Sequence, residues 1–367
     1  MRVLYGVVGE GMGHAIRSRV VLDHLLSAGH EVEIMASSRA ADFLAERYPE
    51  VHRIHGMHII YEENRARPAR TIISNALKGT AALPSQIKAY FELVSDFSPE
   101  VVISDFESWS HMYGITHRIP IISVDNAQII PRAQHDAEIL DGIRKEFELT
   151  RTFIKGKLAF SDHYVIATFF RPPLRKPKRT TLVPPILRPD ILEAQPSQGE
   201  HLLVYQTAEG HGALAEVLQR CGLPCRIYGM RRDLQEDLQD GNLCFRPFDE
   251  ATFIADLASA HAVVSGGSFT LMGEAVYLRK PMLSVPVGGQ LEQVINARYL
   301  QREGYGMHAE AIDTETLQAF LARVPECQAR LAEYTQDGNR ECMQVIDGLL
   351  DRAAAGVLRG VRPEGDP

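Results

Sequence analysis

Short β-branched apolar runs alternate along the chain with stretches whose apolar residues fall at helical spacing. Arg2–Val8 is one such run, Gly9–Gly13 interrupts it, and Ala15–Ala28 then carries Ile16, Val20, Leu22, Leu25 and Leu26 on a helical period. Gly29 stands where a helix ends on a left-handed residue, and Glu31–Ala36 resumes as a strand. This predicts a βαβ unit, the repeat of a parallel sheet covered by helices. Further strands are expected at Val101–Ser104, Ile119–Val124 and Tyr164–Thr168. Arg171–Pro189 then holds six prolines and six basic residues, a density that excludes a helix or a central strand. Leu192–Glu200 reads as a linker. At His201 the alternation restarts, with strand Leu202–Tyr205, helix Ala213–Arg220, strands Cys225–Gly229 and Ala262–Val264, a helix from Phe269, and strand Pro281–Val285. The expectation is an α/β chain of two doubly wound layers. One domain covers 1–190 and a second 200–326, and a helical segment over 327–358 packs back on the first.

Composition narrows the class. A chain of 367 residues with 45% hydrophobic and 23% charged residues suits two globular domains. Its net charge of −8 argues against general nucleic-acid binding. No apolar run reaches the length of a membrane span, and the N-terminus meets glycines too early for a signal peptide. Five cysteines, an odd number, point to a reducing compartment, so a cytoplasmic protein is expected.

Two glycine loops carry the candidate chemistry. In the first, Gly9–His14, glycines between a strand and a helix let a ligand approach the backbone, and the helix start favours negative charge. A dinucleotide fingerprint needs a third glycine where His14 stands, and the second strand lacks a ribose-binding acid. Ser38 and Arg39 suit a 2′-phosphate, which keeps an NADP-dependent dehydrogenase among the alternatives. His14, at a sheet's C-terminal edge, is placed to accept a proton, and Asp105, ending its own strand on that edge, is placed to orient the imidazole. Glu107 is a weaker candidate for that role. In the second loop, Ser265–Ser268 leads into a helix whose first N–H groups, with the Ser268 and Thr270 hydroxyls, form an anion site without any lysine. Glu274 falls one to two turns further on, within reach of a ribose diol. Glu292 and Gln293 stand at a loop–helix junction suited to binding several hydroxyls.

The combination of Gly266-Gly267-Ser268, Glu274, Pro281, Pro286, Glu292-Gln293 and Asn296-Ala297 resembles the donor site of GT-B glycosyltransferases. It is similar to the UDP-glycosyltransferase box and closest to the transferases that complete lipid II. Gly9–Gly13 with His14 and Arg17 resembles the family's G-x-G-H-x-x-R start. The resemblance implies two facing Rossmann-like domains with a cleft between them, and transfer of a sugar from a nucleotide-diphosphate donor, UDP-linked, to an acceptor hydroxyl. That transfer is expected to be inverting and to need neither cofactor nor obligatory metal. His14 would be the base and Asp105 its partner. Gly13, Gly266, Gly267, Ser268 and Thr270 would hold the diphosphate, Glu274 the ribose, and Glu292 and Gln293 the sugar. Phe245, Arg246 and Phe248 would lie near the nucleotide's base. The acceptor would be a small molecule or lipid-linked.

Two departures qualify the carry-over. Ser265 stands where plant-type enzymes have a histidine, and the interval from Gly267 to Glu274 is one residue longer than in their box, matching the lipid II enzymes better. Relatives of this fold hydrolyse or 2-epimerise nucleotide sugars, so those reactions remain alternatives. Elsewhere, Cys221 and Cys225 lack a second ligand pair for a metal site. His52, His55 and His58 recur every third residue in what reads as an acceptor-side loop or a solvated surface. Arg65–Lys88 carries five basic residues and no acid, which suits peripheral contact with an anionic membrane or a phosphorylated acceptor as well as plain solvation.

Overall fold

The structure, a computed structural model, describes residues 1–9, 11–54, 61–62, 65–66, 94–206 and 211–360. His55, His58 and nearly all of Arg65–Lys88 lie outside the described residues, as does Glu10.

The strands, in chain order, are β1 (Arg2–Val7), β2 (Glu31–Ser37), β3 (Val51–Ile54), β4 (Tyr61–Glu62), β5 (Arg65–Ala66), β6 (Val101–Asp105), β7 (Ile121–Asp125), β8 (His163–Ala167) and β9 (Thr180–Val183). After these come β10 (Leu202–Tyr205), β11 (Cys225–Tyr228), β12 (Leu238–Asp240), β13 (Leu243–Arg246), β14 (Ala262–Ser265), β15 (Met282–Ser284) and β16 (Gly306–His308). The helices are α1 (Met12–Ser27), α2 (Ser38–Ala45), α3 (Ser108–His117), α4 (Ile129–Arg132), α5 (Arg144–Lys157), α6 (Pro189–Glu193), α7 (His211–Cys221), α8 (Glu250–Ser259), α9 (Phe269–Tyr277), α10 (Leu291–Arg302), α11 (Thr314–Ala332) and α12 (Arg340–Ala354).

Two seven-stranded sheets result, in the orders β3-β2-β1-β6-β7-β8-β9 and β12-β13-β11-β10-β14-β15-β16. All neighbours pair in parallel except β12 with β13. Central strands β6, β7 and β8 are buried along their whole length, because helices cover both faces of a parallel sheet. The chain leaves β1 toward β2 and β3, then returns to the other side of β1 with β6. In the second sheet β10 runs first to β11 and later to β14. Such points of reversal open a crevice at the strands' C-terminal ends. Both glycine loops sit at one. Val7 is in register with Asp105, and Tyr205 with Ser265.

Several elements differ from the sequence pattern. Helix α1 starts at Met12, so Gly13 belongs to its first turn instead of the loop. The proline-rich stretch contains a strand after all. β9 fits there because it is the sheet edge and its four residues fall between the prolines. Pro189 opens α6, a position where its missing N–H costs nothing. The helical segment expected over 327–358 holds the end of one helix and the whole of another. α11 begins far earlier, on Asp313 as cap, and packs on α7 and β16, whereas α12 packs against β8 and β9 of the first sheet. Strands β3, β12, β13 and β16 gave no separate signal, being short and half-buried or, in β12, exposed.

The sheets are not independent bodies. One apolar cluster includes Val3 and Ile103 of the first and Leu203 and Met282 of the second. Phe170 stacks on Tyr299 at 3.9 Å between ring centroids, and Phe169 on Phe269 at 5.9 Å. Asn296 donates to Asn126 at 3.0 Å across the same seam. No helix among the described residues is long and apolar enough to cross a membrane.

Glu107 serves the fold. Its carboxylate caps α3, accepting from the N–H groups of Trp109 and Ser110 at 2.8 and 2.7 Å. Replacing it by alanine strips that cap from a buried helix start. Denaturant titration of Glu107→Ala should show a loss of about 1–2 kcal/mol, and an unchanged midpoint would refute the capping role.

Candidate functional site

The site begins with a buried carboxylate. Asp105 ends β6 with 0% exposure, in the crevice beside β1. Arg17 approaches it as a fork, with Nε donating to Oδ2 at 2.7 Å and Nη2 to Oδ1. The Ser18 hydroxyl donates to Oδ2 at 3.0 Å, and His14 Nδ1 lies 2.8 Å from Oδ1. His14, Arg17 and Ser18 share the first two turns of α1, so spacings of three and four residues bring all three to one strand end.

Electrostatics fix the protonation states. Burial alone pushes the Asp105 carboxyl up, but Arg17 and His14 outweigh it and bring it down to about 2. An ionised carboxylate only accepts, so His14 Nδ1 must donate and Nε2 is left bare. Arg17 Nη2 lies 2.6 Å from Nδ1 because both donors converge on one oxygen. Burial first, then the Arg17 cation, lower the His14 pKa, so the ring is neutral at pH 7. His14 thus presents a bare nitrogen from a partly exposed ring.

The second loop faces this pair. Ser268 is exposed and ends the loop, and α9 begins at Phe269 with its N–H groups unpaired by any side-chain cap. A Cβ on Gly13 would lie 2.5 Å from Thr270 Oγ1, so the start of α1 touches the start of α9, and a larger residue at 13 would force the Thr270 side chain to shift. Gly267 is held as tightly, since a Cβ there would meet Gln293 Cβ at 2.5 Å. Gly266 sits nearby in ordinary contact with Val285 and Gln293. The structure therefore brings together Gly13, His14, Asp105, Gly266, Gly267, Ser268, Thr270 and Gln293.

Glu292 joins the same cleft through charge. Desolvation pushes its carboxyl up to about 7, against the pull of Arg17 and with added repulsion from Asp125 and Asp105. Asp125 ends β7 with 0% exposure. Burial raises it to about 6, although the Ser123 hydroxyl and the Gln128 N–H bond it, and Asp105 adds repulsion. Gln293 spends its Oε1 on the Val287 N–H at 3.0 Å, shaping the loop before α10.

Other expected contacts are closed or turned elsewhere. Glu274 is 1% exposed, and both its oxygens are taken by the Arg188 fork at 2.8 and 2.9 Å. The sequence assigns this carboxylate to a ribose; here a buried charge in α9 requires a cation, and Arg188 supplies it. Arg188 also reaches Glu250 at 2.8 Å, which Arg19 of α1 meets at 3.3 Å. Arg246 is likewise engaged, bonding Asp256 and Asp237, while Tyr228 and Arg226 share Asp256. Phe245 packs on the second sheet's core, and Phe248 stands 59% exposed beside Phe253. His52 pairs with Glu33, and the thiols of Cys221 and Cys225 are free.

Sequence reasoning missed Arg188 and Asp125, and it gave Arg17 no task. An arginine three residues after His14 was a usable signal, since it shares a helix face with that ring. Arg188, inside a proline-rich stretch far from Glu274 in sequence, offered none.

The titration of Glu292 has a measurable consequence. Folded Glu292 keeps its proton up to about pH 7, and an unfolded glutamate releases it near 4.5, so the folded state binds more protons in between. Stability should fall as pH rises through that window, and above pH 6 Asp125 no longer contributes. Thermal melts between about pH 6 and 7 should show this fall in the native chain and a flatter profile in Glu292→Gln. Parallel profiles would contradict the assignment.

The family model described as glycosyl transferase family 1 matches residues 1–325. An uncharacterized glycosyltransferase of Methanosarcina mazei is 24% identical over 327 residues, covering 83% of this chain and 85% of that protein. A UDP-N-acetylglucosamine--N-acetylmuramyl-(pentapeptide) pyrophosphoryl-undecaprenol N-acetylglucosamine transferase 3 of Bacillus cereus is 34% identical over 96 residues, 25% of this chain and 26% of its own. The solved structure of LpCGTa in complex with UDP superposes with a TM-score of 0.65 at 16% identity, covering 96% of this chain and 99% of that one.

Proposed function

Because the chain belongs to glycosyl transferase family 1 and is a glycosyltransferase of the GT-B kind, we propose that it moves a sugar from a UDP-linked donor to an acceptor hydroxyl in one inverting displacement. The observation that carries this reading is the His14–Asp105 pair set against the start of α9, with Gly13 on Thr270 as the point of contact.

The acceptor hydroxyl gives its proton to the bare Nε2 of His14 as its oxygen attacks the anomeric carbon. The resulting imidazolium is balanced by Asp105, whose charge Arg17 keeps in place. The bond from anomeric carbon to phosphate oxygen breaks on the opposite face, and UDP leaves with the electron pair. Its growing charge falls on the backbone N–H groups and hydroxyls around Ser268 and Thr270 and on the positive end of α9, which supports a reaction without an obligatory metal. Gly266 and Gly267 let the diphosphate approach the backbone. A protonated Glu292 donates to a sugar hydroxyl, and Gln293 holds the loop beside it. Phe248 offers an exposed ring near the nucleotide's base. Ribose hydroxyls meet Glu274 only where Arg188 yields one of its oxygens. That LpCGTa binds UDP on this fold supports the choice of donor.

UDP should raise the melting temperature of the native chain and of His14→Ala equally. Turnover of UDP-sugars with a competent acceptor should fall by about 10²–10⁴ in that variant. Failure of UDP to stabilise the chain would sink the donor assignment, and full turnover in His14→Ala would remove the base.

A further inference from the structure

Helix α5 carries an apolar ridge on its outer side. Phe147 and Ile154 point inward and are 1% and 3% exposed. Leu149 and Phe153, four residues apart and so on one stripe, are 74% and 43% exposed, and Phe160 just beyond the helix is 42% exposed. Seven large apolar side chains are this exposed among the described residues, and three of them stand here. Isolated exposed apolar residues need no explanation, but a row of them on one helix does.

The ridge is flanked by positive charge. Over 144–157 and 171–179 the chain has ten basic residues against two acidic ones, although its net charge is −8. Arg144, Lys145, Lys155, Arg175, Lys176 and Lys178 are all exposed. The two segments adjoin in space: desolvation first, then the charges of Arg151, Arg175 and Lys176, opposed by Glu148, hold the Lys155 ammonium below the usual lysine range. An anionic surface would relieve such repulsion. A nucleic acid would use the charge and leave the ridge wet. An anionic bilayer uses both, burying leucine and phenylalanine at the headgroup level while lysine and arginine stay among the phosphates.

We propose that the outer face of α5, together with the basic turn at 171–179, docks the enzyme on an anionic lipid bilayer. The helix also leads to the site. Lys157, on its last turn, covers the Phe106 ring at 4.0 Å, and Phe106 directly follows Asp105. A docked α5 therefore holds the His14 cleft close to the membrane surface, where a lipid-borne hydroxyl can reach it. The docking itself does not depend on the transfer reaction.

Co-sedimentation of the full chain with vesicles tests this. The chain should pellet with phosphatidylcholine vesicles containing about one-quarter phosphatidylglycerol and stay in solution with phosphatidylcholine alone. Pelleting should decline as salt is raised from about 0.05 to 0.5 M. The double variants Leu149→Ser/Phe153→Ser and Lys155→Glu/Lys176→Glu should each bind at least about tenfold more weakly, with melting temperature and UDP-induced stabilisation unchanged. Equal pelleting of the variants, equal binding to neutral vesicles, or no binding by the native chain would overturn the proposal. So would a dimer in sedimentation equilibrium that Leu149→Ser/Phe153→Ser dissociates, because the ridge would then be covered by a second copy.

Discussion

A fully buried carboxylate at a strand end is the constraint on which the site rests. Asp105 cannot stay charged at 0% exposure without donors on both oxygens, and α1 supplies them from Arg17, Ser18 and His14. Meeting that need fixes the rotation of α1 against β6 and, with it, the aim of the His14 ring. It also favours one tautomer, since an acceptor-only carboxylate takes its hydrogen bond from a protonated Nδ1. The Arg17 cation acts twice, holding Asp105 ionised and His14 neutral. One ion pair thus sets fold, orientation and protonation together.

The second half of the site depends on the two sheets meeting. Gly13 against Thr270 brings two helix starts into contact, and a side chain at residue 13 would have to displace that of Thr270. The seam around that contact is mostly apolar and aromatic, with Phe169, Phe170, Phe269 and Tyr299 packed across it. Around it lie the ions, with the Arg19, Glu250, Arg188 and Glu274 chain linking α1, α8, the segment before α6, and α9. Glu274, the carboxylate expected at the ribose, is the last member of that chain, paired with Arg188. The neighbouring acids Asp125 and Glu292 go the other way, their carboxyls pushed up first by burial and then by repulsion from nearby acids, Asp105 among them.

What the sequence made legible follows from range. β6, β7 and β8, buried on both faces, read as unbroken apolar runs, and α9 was visible from its glycine loop. His14 and Asp105 could be paired before any coordinates because each ends or follows a strand on the same sheet edge. The start of α1 was misjudged because Gly13 serves a contact made with Thr270, far along the chain. β9 was hidden by prolines that flank an edge strand without entering it. Arg188 and Glu274 are 86 residues apart, and nothing local in either segment announces the other. Periodicity reports what a residue does for its own element, and such pairs belong to two.

The central claim is that Asp105 holds His14 as a neutral ring with Nδ1 protonated and Nε2 bare. Ring-nitrogen NMR of the chain labelled with ¹⁵N-histidine, followed against pH, observes this directly. The account predicts an Nδ1–H tautomer for His14 that persists below pH 6.5 and loses that preference in Asp105→Asn. A His14 ring that carries its proton on Nε2, or that titrates like a solvated histidine in the native chain, would contradict it.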